Sequence, residues 1–225
     1  MSRVDLGAYL PIDRLHAMAQ GMSLPETSTG AALFADVSGF TALTEALARV
    51  LGPRRGAEAM TQYINQVFEA LVAETQRFGG SVVSFGGDAV TCWFDGDDGR
   101  RATACALEMH GALGRRGTIT LPTGGTILLA MKAAVAAGAI RRFVVGDPKV
   151  RLLDVLVGQT LVRMASAERV AHRAEVVLSR ECAQALGDQV LVLGWRSHPK
   201  DASERYAVVG GLLQPVAATP WPTLP

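Results

Sequence analysis

The chain has 225 residues and a formal net charge of +1, because 22 lysines and arginines nearly balance 21 acids. This length suits one large domain with short extensions, and a hydrophobic share of 49% excludes a disordered chain. The balanced charge argues against a protein that binds nucleic acid through bulk charge. The three cysteines are widely spaced and form no CxxC pair, which argues against a disulfide scaffold or zinc site and predicts a cytoplasmic location.

No segment of the sequence predicts export or membrane insertion. Residues 1–10 lack an apolar core behind a basic start, so no signal peptide is predicted. The longest apolar stretch, 126–140, is interrupted by Lys132 and Gly138, and it is too short to span a membrane.

The hydrophobic pattern predicts helices and strands that alternate along the chain, with a hairpin around Gly86-Gly87-Asp88. This order indicates an α/β or α+β fold with a mixed sheet. We divide the chain into a lead-in at 1–29, a domain at 30–210 and a proline-rich, linker-like tail at 211–225. In chain order the predicted elements are a helix at 12–20, a strand at 31–35, helices at 40–51 and 56–77, strands at 81–85 and 90–94, a helix at 100–113, strands at 127–137 and 150–157, a helix at 159–172, a strand at 175–178, a helix at 180–186, and strands at 189–195 and 204–209.

Two aspartates stand where predicted strands end. Asp36 follows the apolar strand 31–35 and precedes Ser38-Gly39, and Asp88 lies in the glycine-rich turn of the hairpin. Carboxylates at neighbouring strand ends can share hard cations such as Mg²⁺ or Mn²⁺. For either residue alone, an ordinary helix cap or turn position is the favoured explanation.

The segment after Asp36 adds a second feature of the same kind of site. A helix is predicted to begin at Phe40, so backbone amides between Val37 and Thr41 lie at a helix N-terminus, where phosphates bind. Gly39 would let a ligand approach the backbone closely. Together with the two aspartates, this segment predicts a site for a metal and a nucleoside triphosphate.

Two segments resemble the motifs of the class III nucleotidyl cyclases, namely Phe34-Ala35-Asp36-Val37-Ser38-Gly39-Phe40-Thr41 and Phe85-Gly86-Gly87-Asp88-Ala89-Val90. Val135-Ala136-Ala137-Gly138 and Val157-Gly158-Gln159-Thr160 stand where that family has its later motifs, and the resemblance extends over about 10–209. Within the family, the chain is most similar to the first catalytic domain of the soluble, bicarbonate-responsive adenylyl cyclases.

The resemblance implies a ferredoxin-like palm with a βαββαβ core, a mixed and mainly antiparallel sheet, and C-terminal additions. It implies that Asp36, Asp88 and the carbonyl of Val37 hold two Mg²⁺ or Mn²⁺ ions. The implied reaction converts ATP into cyclic AMP and pyrophosphate, with GTP left open as the substrate. The residues implied to bind the nucleotide are Val37, Ser38, Gly39, Phe40, Thr41, Gly87 and Lys132.

Lys132 has two interpretations of about equal weight. It matches a basic residue that contacts the triphosphate in related first domains, and a compact ammonium suits that contact. It is equally well explained as a strand lysine at the edge of a sheet.

Active sites of this family form between two cyclase domains, and this chain departs from the family at the positions that one domain offers to the other. The position of the base-reading lysine holds Ser84. The position of its partner, an acid or a threonine in the family, holds Val155, with Asp154 adjacent in case the register is shifted by one residue.

The predicted helix at 159–172 also departs from the family. The positions of the ribose-orienting asparagine and of the transition-state arginine hold Val162 and Ser166. Arg163 and Arg169 lie nearby on the same helix, so a shifted arginine stays open.

These departures predict an incomplete enzyme. Groups that stabilise charge in a transition state contribute orders of magnitude in rate, so we interpret the chain as the metal-binding half of a dimeric active site, weak or inactive without a complementary cyclase domain. The alternative is a catalytically incomplete module that binds nucleotide or dimerises and regulates a neighbour. Because Ser84 and Ala165 replace the cations that hold bicarbonate in the resembling domains, no bicarbonate response is expected.

Overall fold

A computed structural model of the chain describes residues 10–147 and 150–224. Its elements follow the alternation that the hydrophobic pattern predicts. The helices are α1 (Ile12–Ala19), α2 (Phe40–Leu51), α3 (Pro53–Arg77), α4 (Arg100–Arg116), α5 (Gln159–Val170) and α6 (Arg180–Leu186). The strands are β1 (Thr27–Ser38), β2 (Ser81–Gly86), β3 (Ala89–Asp95), β4 (Thr118–Thr120), β5 (Thr126–Leu128), β6 (Ala130–Asp147), β7 (Arg151–Val157), β8 (Val176–Ser179), β9 (Val190–His198) and β10 (Asp201–Leu212).

The main sheet has the strand order β2-β3-β1-β6-β8-β10-β9, and β7 pairs with the outer part of β6. Its pairs are antiparallel except for β6 with β8. The elements β1, α2 with α3, β2, β3, α4 and β6 form a βαββαβ unit with the strand order of a ferredoxin-like fold. The predicted palm fold, with a mixed and mainly antiparallel sheet, is therefore confirmed.

The two faces of this sheet pack against different helices, because neighbouring residues of a strand point to opposite faces. On β1, Leu33, Ala35 and Val37 are buried in the larger core with residues of α2, α3 and α4. Ala32 lies in a smaller core on the other face, with Met164 and other residues of α5. Asp36 continues the row of Ala32, so the pleat places it on the α5 face.

The main difference from the predicted elements is the strand predicted at 127–137, whose bounds are wrong. Leu129 donates its amide to the carbonyl of Gly117, at 2.9 Å, and separates β5 from β6. β6 then continues ten residues past 137, because β1 pairs with it up to Arg141 and β7 pairs with it from Arg141 to Asp147. The partners that extend this strand come from distant parts of the chain, which the local pattern does not reveal.

Arg142 is buried in the fold, although its neighbour Arg141 is exposed. The Arg142 side chain donates to Asp154 through Nε and Nη2, both at 2.7 Å, and to Asp13 of α1. Arg14 of α1 also donates to Asp154, at 2.7 Å. This buried ion network fastens α1 to β6 and β7.

The proline-rich tail packs against the domain. Thr219 donates its amide to the carbonyl of Arg77 at 2.9 Å, and the Trp221 indole donates to the carbonyl of Gly80 at 2.7 Å. The Trp221 ring stacks on His16 of α1 with ring centres 5.0 Å apart. β10 reaches Leu212, two residues past the predicted boundary, and the division of the chain into domains stays a prediction. Among the described residues, no helix combines the length and apolar character needed to cross a membrane.

Candidate metal and nucleotide site

Asp36 and Asp88, predicted as a pair, lie at neighbouring strand ends. Asp36 is close to the end of β1, directly opposite Ala89 of β3. Asp88 belongs to the two-residue turn between β2 and β3, where Gly87 has a φ of +67° that favours glycine. The amide of Val37 donates to the carbonyl of Asp88 at 3.0 Å, so a main-chain hydrogen bond ties this turn to the end of β1.

Aromatic contacts hold the same turn against the helices. Phe40, the first residue of α2, stacks on Phe68 of α3 with centres 6.3 Å apart, and Phe68 meets the edge of Phe85 at 5.7 Å. Phe85 lies on β2, three residues before Asp88. These contacts fix the β2–β3 turn relative to the start of α2, because packed aromatic rings have little conformational freedom.

Asp36 is a partly buried acid. It lies directly opposite Lys132 of β6, and its Oδ2 is 3.4 Å from the Lys132 Nζ. Burial raises the pKa of Asp36 above its ordinary value; the charge of Asp88 raises it further, and Lys132 opposes both. The fold thus disfavours the charged form of this carboxylate, and a bound cation would favour it.

Lys132 lies between two carboxylates. Its Nζ is 2.5 Å from Oε1 of Glu168 on α5 and 3.4 Å from Asp36. Burial alone would lower the pKa of Lys132, but Glu168 and Asp36 outweigh burial and raise it. Because β6 lies between β1 and β8, the interpretation of Lys132 as a sheet-edge lysine is wrong. Sequence reasoning missed Glu168, whose only signal is an acid on the helix that follows β7.

The N-terminus of α2 lies directly after the end of β1. Its cap residue, Gly39, has a φ of +108°, no side chain caps the helix, and its first turn contains no acid. A Cβ at Gly39 would lie 3.0 Å from Leu129 Cδ2, so both conformation and space require glycine. The Ser38 hydroxyl donates to the carbonyl of Ala130 at 3.2 Å, and Thr41 is exposed. The first amides of α2 therefore remain available for an anion.

The donor set of this region suits a hard divalent cation. Asp36, Asp88 and the carbonyl of Val37 offer oxygen ligands, which Mg²⁺ and Mn²⁺ prefer. Within the described part of the chain, no group of three or more His, Cys, Asp or Glu residues could hold a metal ion. Two protein carboxylates with further oxygens from phosphate and water is the usual pattern for nucleotide-bound Mg²⁺. We call the region of Asp36, Asp88, Lys132 and the α2 N-terminus the metal edge.

The positions of the residues that complement a partner's site, Ser84, Val155, Val162 and Ser166, are termed here the complement positions. Ser84 on β2 is exposed, and Val162 and Ser166 lie one turn apart on α5, with Val162 57% exposed. Arg169 is exposed almost one turn beyond Ser166, whereas Arg163 lies 3.7 Å from Glu181 of α6.

The structure places Asp154, the alternative to Val155, in the framework of the fold. Its side chain is 6% exposed, and both its oxygens accept from arginine, Oδ1 from Arg142 and Oδ2 from Arg14 and Arg142. The pKa of Asp154 is lowered, because these arginines outweigh the opposing effect of burial.

Comparison with known proteins finds relatives of one kind, and no family model matches the chain. The chain is 30% identical over 161 residues to adenylate cyclase type 10 of Oryctolagus cuniculus, which covers 69% of the chain and 10% of that protein. It is also 30% identical over 192 residues to adenylate cyclase type 10 of Rattus norvegicus, covering 80% of the chain and 11% of that protein. The chain thus spans about a tenth of the length of the curated relatives it matches.

The chain is also similar in fold to solved cyclase structures. The guanylyl cyclase Cya2 matches with a TM-score of 0.67 and 22% identity, over 87% of this chain and 98% of that one. The adenylyl cyclase CyaB from P. aeruginosa matches with a TM-score of 0.66 and 20% identity, over 83% of this chain and 96% of that one. At these identities the match shows the shared fold.

Proposed function

Since the chain belongs to the class III nucleotidyl cyclase family, we propose that it supplies the metal-binding half of a dimeric active site that converts ATP into cyclic AMP and pyrophosphate. The observation that carries this proposal is the junction of Asp36 and Asp88, held by the bond from Val37 to Asp88 beside the uncapped start of α2.

Each group at the metal edge has a part in this proposal. Asp36, Asp88 and the Val37 carbonyl hold two Mg²⁺ or Mn²⁺ ions, which when bound acidify the 3′-hydroxyl and neutralise charge on the phosphates. The amides from Val37 to Thr41, together with Gly87, line the β- and γ-phosphates. Lys132 adds a positive charge toward the triphosphate from the side of β6.

The reaction is an in-line displacement at phosphorus. The 3′-oxygen of ATP bonds to the α-phosphorus while the bond from that phosphorus to the bridging oxygen breaks, so pyrophosphate leaves and the 3′-hydroxyl proton passes to solvent. The chain's contribution is to position the triphosphate and to supply fixed charges where negative charge moves.

The chain needs a second cyclase-type domain to complete the site. The complement positions hold neutral side chains, so two copies of this chain would join two metal edges and no complete site. Apolar side chains on the β6–β7 hairpin are 45–48% exposed at Val144, Val145, Leu152 and Leu153. This surface, with the exposed Val162 of α5, supports docking of a partner domain.

The groups that read the base would come from the partner domain. The proposal of ATP over GTP as the substrate therefore rests only on the adenylate cyclase relatives. A nucleotide substrate and three free, buried cysteines fit a cytoplasmic enzyme. Because Ser84 and Ala165 are neutral, we expect no response to bicarbonate.

The test is cyclase activity with Mn²⁺ and either ATP or GTP, with Asp88→Ala as the control. We expect background turnover from the chain alone, and a rise of at least about 100-fold when a complementary class III cyclase domain is added. The rise should vanish with Asp88→Ala. Robust turnover by the chain alone, lost in Asp88→Ala, would show that Arg169 or another group completes a homodimeric site.

A second candidate function is a regulatory module that binds nucleotide or dimerises without turnover, which the neutral complement positions favour. Mn²⁺-dependent nucleotide binding by the wild type and by Asp36→Ala separates the two. Binding that is lost in Asp36→Ala, followed by turnover with a partner, supports the enzyme. Binding without turnover with any partner supports the module, and no binding leaves only a dimerising scaffold.

A further inference from the structure

We propose that Glu168 of α5 is a positioning residue for Lys132, holding its ammonium away from Asp36 and ready for the triphosphate. This inference rests on the proposed function, since it assigns Lys132 to the nucleotide and Asp36 to the metal. In this arrangement, Glu168 itself contacts neither the nucleotide nor the metal.

The geometry shows which carboxylate holds the lysine. The Lys132 Nζ is 2.5 Å from Glu168 and 3.4 Å from Asp36, so the stronger contact is with Glu168. Both carboxylates are about three-quarters buried, and so is the lysine side chain. At such burial the contacts are only partly screened by solvent.

The placement of Lys132 makes a holding group necessary. Asp36 and Lys132 face each other across the β1–β6 pair, and directly opposite charges on neighbouring strands attract. Without Glu168, the ammonium would close fully onto Asp36 and occupy it as an internal cation. Metal binding would then have to break that pair, and the lysine would be lost to the nucleotide.

Glu168 is well placed to prevent this closure. α5 packs across β6 on the face that carries Asp36, and the buried residues Met164 and Ala167 fix the helix there. Glu168, adjacent to Ala167, reaches Lys132 from this helix. An ammonium has three donors, so two contacts with carboxylates leave one donor for a phosphate oxygen.

The first experiment tests the contact without nucleotide or metal. The chain has only three lysines, Lys132, Lys149 and Lys200, so selective ¹⁵N labelling gives a simple spectrum of ammonium groups, and Lys132→Met assigns one signal. We expect the Lys132 ammonium to exchange slowly with water in the wild type and at least about tenfold faster in Glu168→Gln. The control is Glu181→Gln, which removes the acid that faces Arg163 of α5 at 3.7 Å and should leave the signal unchanged.

The second experiment tests the role through binding of Mn²⁺ with α,β-methylene ATP, measured by calorimetry on the whole chain. Glu168→Gln and Lys132→Met should each weaken binding about tenfold, and the double variant should bind no more weakly than Lys132→Met. If Glu168 acted only through its own charge, its removal would favour the anionic nucleotide, so Glu168→Gln would strengthen binding or leave it unchanged.

The outcomes separate this inference from the proposed function. Unchanged exchange of Lys132 in Glu168→Gln, or losses that multiply in the double variant, overturns the inference while the metal edge stands. If the wild type binds no nucleotide, the proposed function fails, and the ammonium exchange alone then decides whether Glu168 holds Lys132.

Discussion

The metal edge and the complement positions border the same face of the sheet, yet they differ in charge. The metal edge gathers Asp36, Asp88 and Lys132, although burial and the neighbouring acid disfavour the charged form of Asp36. The complement positions include the exposed Ser84 and Val162, where a charged side chain would cost little. The chain thus carries charges where burial disfavours them, and it lacks charges at exposed positions where they would be tolerated. Under the proposed function, the charges of the metal edge serve to bind the metal and the nucleotide.

Helix α5 contributes residues to both regions. Its sheet-facing side carries Met164 and Ala167, and Glu168 next to them reaches Lys132 at the metal edge. Val162 of the same helix is exposed, whereas the Ser166 side chain hydrogen-bonds with Tyr206 of β10, and neither residue presents a charge to a partner. Under the proposed function, this helix supports the chain's own half of a site, and only the exposed Arg169 could offer a charge to a second half.

The largest expected effect comes from restoring the complement positions. We expect the combined substitutions Ser84→Lys, Val155→Thr, Val162→Asn and Ser166→Arg to raise Mn²⁺-dependent turnover of the chain alone at least about 100-fold. The reason is that removing one group that stabilises the transition state costs about that much. Production of cyclic AMP and of cyclic GTP measures the effect.

The same four substitutions in an Asp88→Ala background are the control and should give background turnover. Sedimentation of the restored chain shows whether it dimerises. A dimer that gains no activity would mean that α5 does not face a second metal edge, and the comparison between the two regions would lose its functional meaning.

The local parts of this site were predictable from the sequence. The position of Asp36 near the end of β1, the start of α2 at Phe40 and the β2–β3 turn at Asp88 follow from apolar runs interrupted by glycines. Such signals extend over only a few residues, so they can be recognised directly in the sequence. The pairing of the two aspartates then follows from strand ends that adjoin in the sheet.

Contacts between distant segments were not predictable in this way. The Glu168–Lys132 contact joins residues 36 positions apart on a helix and a strand, and the Arg142–Asp13 bond joins residues 129 positions apart. Nothing in the local pattern distinguishes Arg142 from the exposed Arg141. The stacking of Trp221 on His16 was not predictable either, because the local sequence of a proline-rich segment indicates a linker.

The next largest effect concerns the contribution of the buried Arg142 network to the free energy of unfolding. Arg142→Met leaves Asp13 and Asp154 without their shared arginine, so we expect a loss of about 3–5 kcal/mol in the free energy of unfolding. The matched control is Arg141→Met, whose side chain is exposed beside the Phe143 ring, and its loss should stay below about 1 kcal/mol. Urea denaturation measures both, and equal losses would contradict a buried network.

The smallest expected effect compares two aspartates with opposite pKa shifts. The pKa of Asp36 is raised, so its charged form is disfavoured in the folded state, and Asp36→Asn should raise the melting temperature by about 1–4 °C at pH 7. The pKa of Asp154 is lowered by Arg142 and Arg14 against the effect of burial. Asp154→Asn should therefore lower the melting temperature, by several degrees.

The pH dependence of the two variants follows from the same shifts. The penalty at Asp36 begins as pH rises above the unfolded pKa of about 3.9 and is complete above the raised folded value, so the gain from Asp36→Asn grows over that range. The stabilisation by Asp154 is complete above the unfolded pKa and is lost as pH falls through its lowered folded value. Scanning calorimetry between about pH 2 and pH 8 measures both variants, and a loss of stability in Asp36→Asn would mean that its pair with Lys132 outweighs burial. A gain in stability accompanied by loss of Mn²⁺-dependent nucleotide binding would show that Asp36 is retained for the metal at the expense of the fold.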